Sequence, residues 1–143
     1  MLYWSKQFSE AVWLDSNQYP SEHHQFDCVL AVEAVSQPRF SGKGSFESLR
    51  QYISQKQDWL FGYLGYDLKN DVEHLGSHND DSLGLPDMTF FQPKRLWICK
   101  DDFFEAYYLE GEDARMDWAS ILSVVVPSDC LDIKSVRLTP RMS

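Results

Sequence analysis

Residues 58–75 read Asp-Trp-Leu-Phe-Gly-Tyr-Leu-Gly-Tyr-Asp-Leu-Lys-Asn-Asp-Val-Glu-His-Leu, an apolar and aromatic half followed by a polar one. The apolar half is typical of a strand that is covered on both faces. Gly62 and Gly65 interrupt it, and such glycines indicate places where another backbone, a bulky ring or a ligand approaches closely. A central strand that bends over its own core is the alternative. Asp67 then predicts the N-cap of a short helix.

Three segments have the spacing of helices. The short helix carries Lys69 and Glu73 at the i,i+4 spacing of an ion pair. A second helix, with Ser45 as its predicted N-cap, should pack on the sheet. Its apolar face consists of Phe46, Leu49, Tyr52 and Ile53. A third helix follows the acidic residues 110–113 and ends near residue 126. Its apolar face consists of Met116, Ala119, Leu122 and Val126.

Runs of buried-type or alternating residues predict strands, and polar turns separate them. The predicted strands are residues 11–14, 26–35, 60–66, 88–91, 95–100, 103–109 and 133–138. Because strands and helices interleave with hairpins, we expect the α+β class, with a largely antiparallel sheet packed with two to three helices. Residues 1–143 should form a single domain, since a chain of this length buries about two thirds of its unfolded surface.

Composition limits the classes of partner and compartment. The net charge of -9 argues against a nucleic acid partner, which would need clustered Lys and Arg. No apolar run approaches the ~20 residues of a membrane helix, and the N-terminus has no signal-peptide pattern. Cys28, Cys99 and Cys130 are far apart and odd in number, which fits buried thiols and no disulfide framework. We expect a soluble cytoplasmic protein without nucleic acid or membrane partners.

No catalytic constellation is visible in the residues themselves. His23 and His24 are adjacent, but neighbouring side chains of an extended segment point to opposite faces, so we expect no metal site. The Gly42-Lys43-Gly44 turn could hold a phosphate, yet the full phosphate-loop spacing is missing and we interpret it as a structural turn. We therefore predict no catalytic residue, no metal ligand and no cofactor in this chain.

Several ordered blocks resemble one known family. Phe-Gly-Tyr-Leu-Gly-Tyr-Asp-Leu at residues 61–68, Glu73, and Leu-Pro-Asp-Met at residues 85–88 resemble the N-terminal region of chorismate-utilising enzymes. Within the family the chain is most similar to component I of aminodeoxychorismate synthase (para-aminobenzoate synthase), with anthranilate synthase component I as a close relative. The resemblance extends from about Trp13 to the C-terminus. It implies a fold that is the smaller portion of a two-sheet sandwich flanked by helices.

The resemblance also implies what the chain lacks. In this family the active site and its magnesium ligands belong mainly to a C-terminal part, which is absent here, so this chain alone is expected to be an inactive N-terminal domain. Mg²⁺ is expected only with the catalytic domain. The implied partners are the catalytic C-terminal half and the glutaminase component II. The implied reaction converts chorismate to 4-amino-4-deoxychorismate, in para-aminobenzoate and folate biosynthesis. A stand-alone amino-acid-binding regulatory domain is a further alternative.

A tryptophan pocket of the family can be carried over by position. The segments Trp-Leu-Asp-Ser at residues 13–16 and Phe-Asp at residues 26–27 match its frame without a gap. The implied pocket positions are Ser16, His23, His24, Gln25 and Phe26. The two histidines stand where better-known members have Tyr and Ser. The anthranilate synthase version has Leu-Glu-Ser where this chain has Leu-Asp-Ser, which favours aminodeoxychorismate synthase, with L-tryptophan as the implied ligand.

Overall fold

The structure is a computed structural model that describes residues 1–17, 19, 25–73, 75, 83–101, 103–109 and 111–127. The strands are β1 (Ala11–Asp15), β2 (Cys28–Ser36), β3 (Arg39–Phe40), β4 (Phe61–Leu64), β5 (Met88–Lys100) and β6 (Phe103–Tyr108). The helices are α1 (Leu2–Ser5), α2 (Ser45–Lys56), α3 (Lys69–Val72) and α4 (Ala114–Ser123), and a 3₁₀ turn, Tyr66–Leu68, precedes α3. The predicted strand at 133–138 and Cys130 lie outside the described residues.

One six-stranded sheet organises these elements around β5. The second half of β5 pairs with β2 and β6, and its first half pairs with β3 and β4. Beyond β2 lies β1, and every pairing is antiparallel. The α+β class with a largely antiparallel sheet and helices is therefore confirmed.

The central strand is β5, so the prediction that residues 60–66 form a strand covered on both faces is wrong. β4 is four residues long, and only Phe61 in it is buried. It pairs with β5 and, among the described strands, with no other. Because its second side is unpaired, Tyr63 and Leu64 keep much of their surface in solvent.

Two strands predicted at 88–91 and 95–100 are one strand of 13 residues. Pro93 lies within it and pairs with Ala34 of β2. Between Ala34 and Ser36 the register shifts, which marks a bulge at Val35. A proline cannot donate to the ladder and is tolerated at a bulge, so β5 continues through Pro93 instead of ending there.

Gly62 in β4 and Gly65 just after it lie very close to another stretch of backbone, as predicted. A Cβ on Gly62 would lie 2.0 Å from the carbonyl oxygen of Thr89, and one on Gly65 would lie 2.7 Å from that of Asp87. The neighbour is the backbone of β5 and of the residue before it. Gly65 N–H also donates to Asp87 O at 2.6 Å.

Both faces of the sheet carry a core cluster, because successive residues of a strand point to opposite faces. On one face the buried side chains are Val29, Ala31, Phe61, Phe91, Leu96 and Ile98. On the other face they are Leu30, Val32 and Trp97, together with Trp4 of α1 and Ile121 of α4. The first and last helices therefore cover one face of the sheet.

The inward face of α4 differs from the predicted one. Met116 and Leu122 are 70% and 68% exposed, whereas Ile121 is buried. Asp117 is half-buried and faces the sheet, where it meets the Arg95 guanidinium. The ion pair between Asp117 and Arg95, and not a stripe of apolar residues alone, therefore determines which side of α4 faces the sheet. Its N-cap is Asp113, whose carboxylate accepts from Arg115 N–H at 2.9 Å.

The other helices also depart from prediction in detail. The N-cap of α2 is Gly44, and Ser45 is its first helical residue. Tyr52 of α2 shares a 2.6 Å hydroxyl hydrogen bond with Ser36, while Phe46 and Ile53 stay partly exposed. Near α3, Lys69 pairs with Asp67 at 2.8 Å and not with Glu73 as predicted. Asp67 lies within the 3₁₀ turn and is not the predicted N-cap.

Candidate functional site

The end of the β1–β2 hairpin brings two predicted pocket residues together. Asp15 pairs with Cys28, so the next residues outward, Ser16 and Asp27, face each other. Ser16 N–H donates to Asp27 O at 2.8 Å, and Tyr19 N–H donates to Ser16 O at 2.9 Å. The hairpin register therefore places Ser16 beside the Phe26-Asp27 segment, where the resemblance puts one wall of the pocket.

Phe26 contributes an aromatic surface at this end of the sheet. It is half-buried and meets the Trp59 ring edge-on, with centroids 5.9 Å apart and planes at 64°. Trp59 in turn stacks at 14° on Phe61, which is part of the core. The three rings form a continuous aromatic layer that could support a planar ligand.

The remaining pocket candidates add less to this geometry. Gln25 is exposed, and His23 and His24 lie outside the described residues. The described candidates Ser16, Gln25 and Phe26 line neither the cavity of about 90 Å³ beside Trp59 and Leu96 nor the open depression of about 460 Å³ along Trp59 and Leu60. Tryptophan binding by these five residues stays a prediction.

Asp27 has a structural role that the sequence did not reveal. Its carboxylate Oδ2 accepts from Asp101 N–H at 2.6 Å, and its own N–H donates to Cys99 O at 2.9 Å. Asp101 occupies the first position of the β5–β6 turn with a φ of 52°, in the left-handed region. Asp27 therefore fixes this turn against the β1–β2 hairpin.

A buried ion network at Arg95 is the strongest electrostatic feature that the sequence did not predict. The Arg95 side chain is 12% exposed and pairs with the carboxylates of Glu33, Glu112 and Asp117. Its Nε donates to Asp117 at 2.8 Å. Tyr108 donates to the same carboxylate oxygen at 2.7 Å. β2, β5, β6 and α4 therefore meet at one guanidinium.

The network also changes the titration of its members. Burial, and then its hydrogen bond to Asp117, raises the pKa of Tyr108 well above its usual range. The hydrogen bond from Lys94 and the nearby Arg95 charge lower the pKa of Glu112. Because its guanidinium is surrounded by protein carboxylates, we interpret Arg95 as a structural cation and not as a ligand-binding one.

Glu33 reaches this network from an unusual backbone position. Its φ is 61°, which is rare for a residue that is not glycine, and it lies just before the bulge at Val35. Its N–H donates to Glu10 O at 3.0 Å, and its carboxylate also meets Lys94 at 3.4 Å. With this left-handed backbone, the Glu33 carboxylate pairs with Arg95. The sequence contains no signal for the pairing of Glu33 with Arg95, because this pairing depends on the register of two strands that lie far apart in the chain.

The Gly42-Lys43-Gly44 segment is a structural turn, as interpreted from the sequence, and its backbone contacts a carboxylate of the chain itself. The Asp71 carboxylate accepts from Gly44 N–H at 2.6 Å and from Phe46 N–H at 3.2 Å. These hydrogen bonds lower the pKa of Asp71. The chain's own carboxylate therefore fills the place that a phosphate would take at the start of α2.

An open groove separates β6 from α4. Its volume is about 390 Å³, and aromatic rings line it. The Trp118 ring stacks on the Trp97 ring with centroids 5.6 Å apart. It also contacts the Phe104 ring in a tilted arrangement, with centroids 5.6 Å apart. Arg115 lies at the rim. The aromatic residues of β6 are largely exposed along this strand.

The described residues contain neither a metal-binding cluster nor a helix that could span a membrane. Within the described ranges, no three His, Cys, Asp or Glu side chains converge in a way that could hold a metal ion. Among the helices there, none is long and apolar enough to cross a membrane.

Comparison with known proteins gives one relative and no family model. No family model matches the chain. A stretch of 34 residues is 59% identical to anthranilate synthase component 1 of Cereibacter sphaeroides. This match supports a relation to the chorismate-utilising enzymes. It covers 24% of this chain and 7% of that protein, so the chain corresponds to only a small part of the relative's length.

Proposed function

We propose that this chain is the non-catalytic N-terminal region of a chorismate-utilising enzyme, and specifically of component I of aminodeoxychorismate synthase. The 34-residue match at 59% identity carries the first part of the proposal, the relation to the chorismate-utilising enzymes. The ordered blocks around residues 61–68 and 85–88 support it. So does the antiparallel α+β sheet, which is the architecture that the resemblance implies.

The choice of aminodeoxychorismate synthase depends on a single acid. Asp15 stands where the resemblance implies Glu in anthranilate synthase. Asp15 accepts from Asn17 N–H at 2.7 Å and from Trp13 Nε1–H at 3.2 Å, so it fixes the chain just before and after Ser16. A glutamate is one methylene longer and would place its carboxylate differently beside Ser16. Anthranilate synthase is the second candidate, because that is the name of the matched relative.

In this proposal the domain supports and regulates the enzyme, and the catalytic residues belong to the rest of that enzyme. In the complete enzyme, ammonia from the glutaminase component II would replace the hydroxyl of chorismate and release water. Magnesium would belong with the catalytic portion, and we assign no ligand of that ion to this chain. The hairpin end at Ser16 and Phe26 would bind L-tryptophan as an effector.

The test compares the purified chain with the longest protein that its reading frame encodes. Both are given chorismate, ammonia and Mg²⁺, and the products are separated and identified by mass. We expect no product from the chain alone and aminodeoxychorismate from the longer protein. Anthranilate from the longer protein would favour the second candidate. Turnover by the chain alone, or none by either protein, would contradict the proposal.

A further inference from the structure

Cys28 and Cys99 face each other across the two central strands. They are directly opposed in the register of β2 and β5, and both are half-buried free thiols. Opposed residues of antiparallel strands project to the same face, with Cβ atoms about 4.5–5.5 Å apart. A disulfide requires Cα atoms about 4.4–6.8 Å apart, which neighbouring antiparallel strands satisfy.

The pair lies where the core on the α4 side of the sheet ends. The next opposed pair on that face, Leu30 and Trp97, is buried at 1% and 5% exposure. On the outer strands the cysteines are flanked by Asp15 of β1 and Phe104 of β6, which are both exposed. One side of the dithiol therefore meets the core, and the other can be reached from solvent.

The backbone beside the pair is held in place by hydrogen bonds. Asp27 N–H donates to Cys99 O, and the Asp27 carboxylate accepts from Asp101 N–H. On the other side, Val29 and Ile98 continue the ladder. Because both strands are fixed here, the two sulfur atoms stay close together without any movement of a loop.

We propose that Cys28 and Cys99 form a reversible disulfide by exchange with a small-molecule disulfide such as oxidised glutathione. One protein thiolate attacks a sulfur of the small disulfide and expels the first small thiolate. The second protein thiolate then attacks the mixed disulfide and expels the second one. Two protein thiols lose their hydrogens, and one small disulfide becomes two thiols.

Burial, the neighbouring Cys99 and the carboxylates of Asp15 and Asp27 raise the pKa of Cys28 to about 11. Because the thiolate is the nucleophile, this shift slows attack by Cys28 at neutral pH. The disulfide would link β5 covalently to the end of the β1–β2 hairpin, close to Ser16 and Phe26. This inference does not depend on the proposed function.

The experiment uses the full chain with Cys130→Ser, which removes the third thiol. The protein is equilibrated with a glutathione redox buffer, quenched with acid, and examined by thiol titration and intact mass. We expect both thiols to disappear together, the mass to fall by two hydrogen atoms, and dithiothreitol to restore both. Cys28→Ser and Cys99→Ser in the same background should each carry one glutathione instead.

Three results would overturn the proposal: both thiols remaining titratable, stable glutathione on each cysteine, or disulfide-linked dimers between chains. If a serine variant does not fold, the reduced two-cysteine chain still provides a test with phenylarsine oxide, which bridges thiols that lie close together. One equivalent should block both thiols. Two equivalents, or no protection, would show that the sulfurs are not neighbours.

Discussion

Arg95 Nε donates a 2.8 Å hydrogen bond to Asp117 Oδ2, which joins the central strand β5 to α4. The same guanidinium also meets Glu33 and Glu112, so its charge is balanced by three carboxylates from separate elements. A cation in this position adds a polar connection to the apolar packing of Ile121 and Trp118 on Trp97. Its removal should therefore affect the stability of the whole domain.

We expect Arg95→Met to lower the free energy of unfolding by about 1–3 kcal/mol, because it leaves three partly exposed carboxylates without their cation and solvent screens part of the loss. Urea unfolding followed by tryptophan fluorescence measures this. Arg50→Met is the matched control: Arg50 pairs with Glu47 on the surface, at 81% and 59% side-chain exposure, and should cost only about 0–1 kcal/mol. Equal effects of the two substitutions would show that the network does not hold the sheet and α4 together.

Asp71→Asn should destabilise the domain near neutral pH. The hydrogen bonds from Gly44 N–H and Phe46 N–H hold the pKa of Asp71 below its unfolded value. The stability from this carboxylate is therefore complete above the unfolded pKa of about 3.9 and is lost as the pH falls through the folded value. The difference in melting temperature between wild type and Asp71→Asn should accordingly be largest near neutral pH and shrink in acid.

Glu73→Gln is the control for this pH dependence, because Glu73 is an exposed acid just after α3. Its melting temperature should track that of the wild type across the pH range. If Asp71→Asn shows a constant offset from the wild type at every pH, the carboxylate charge is not what stabilises the start of α2.

Gly62→Val should destabilise the domain by at least the usual overpacking cost of ~1–3 kcal/mol. The new Cβ would collide with the carbonyl oxygen of Thr89, and a backbone atom of the central strand cannot move aside as a flexible side chain can. Leu64→Val on the same strand is the control, since Leu64 is 56% exposed. Thermal unfolding measures both, and an unchanged midpoint for Gly62→Val would reject the close approach of the two backbones.

L-Tryptophan should bind the isolated chain weakly or not at all, and any binding should depend on Ser16. Ser16 and Phe26 lie at one hairpin end, but Gln25 is exposed and leaves the ligand partly solvated, which weakens its polar contacts. Isothermal titration calorimetry compares the wild type with Ser16→Ala and with Ser9→Ala, a substitution of an exposed serine that precedes β1. Sub-micromolar affinity, or affinity that Ser16→Ala leaves unchanged, would mean that the site lies elsewhere.

Local patterns were sufficient for most of the strands and for part of the candidate site. The β1–β2 and β5–β6 hairpins follow from apolar runs that polar turn residues separate, and Asp101 adopts the left-handed φ that such a turn needs. The closeness of Ser16 and Phe26 follows from the first hairpin, because paired strands bring the ends of their loop together. Gly62 also predicted its close neighbour correctly, because a glycine within a strand leaves room for another backbone to approach.

Tertiary structure decided the features that depend on distant partners. Whether Pro93 ends a strand depends on the bulge at Val35 in the neighbouring strand, and the proline alone does not show it. The inward face of α4 depends on Asp117 finding Arg95, so a count of apolar residues selected the wrong face. A buried charge is stable only with a partner, and its sequence position does not identify that partner.

The sequence by itself therefore determined most of the strands and three of the helices, and that one hairpin end combines a serine with an aromatic ring. It did not predict α1 or β3. It did not determine that β5 is the centre of the sheet, that Asp27 holds the β5–β6 turn, or that Cys28 faces Cys99. Each of these depends on the register between β2 and β5, whose opposed residues lie 56 (Ser36 and Gln92) to 71 (Cys28 and Cys99) positions apart. Register is set by the combined packing of both faces of a sheet, and only the folded chain contains that information.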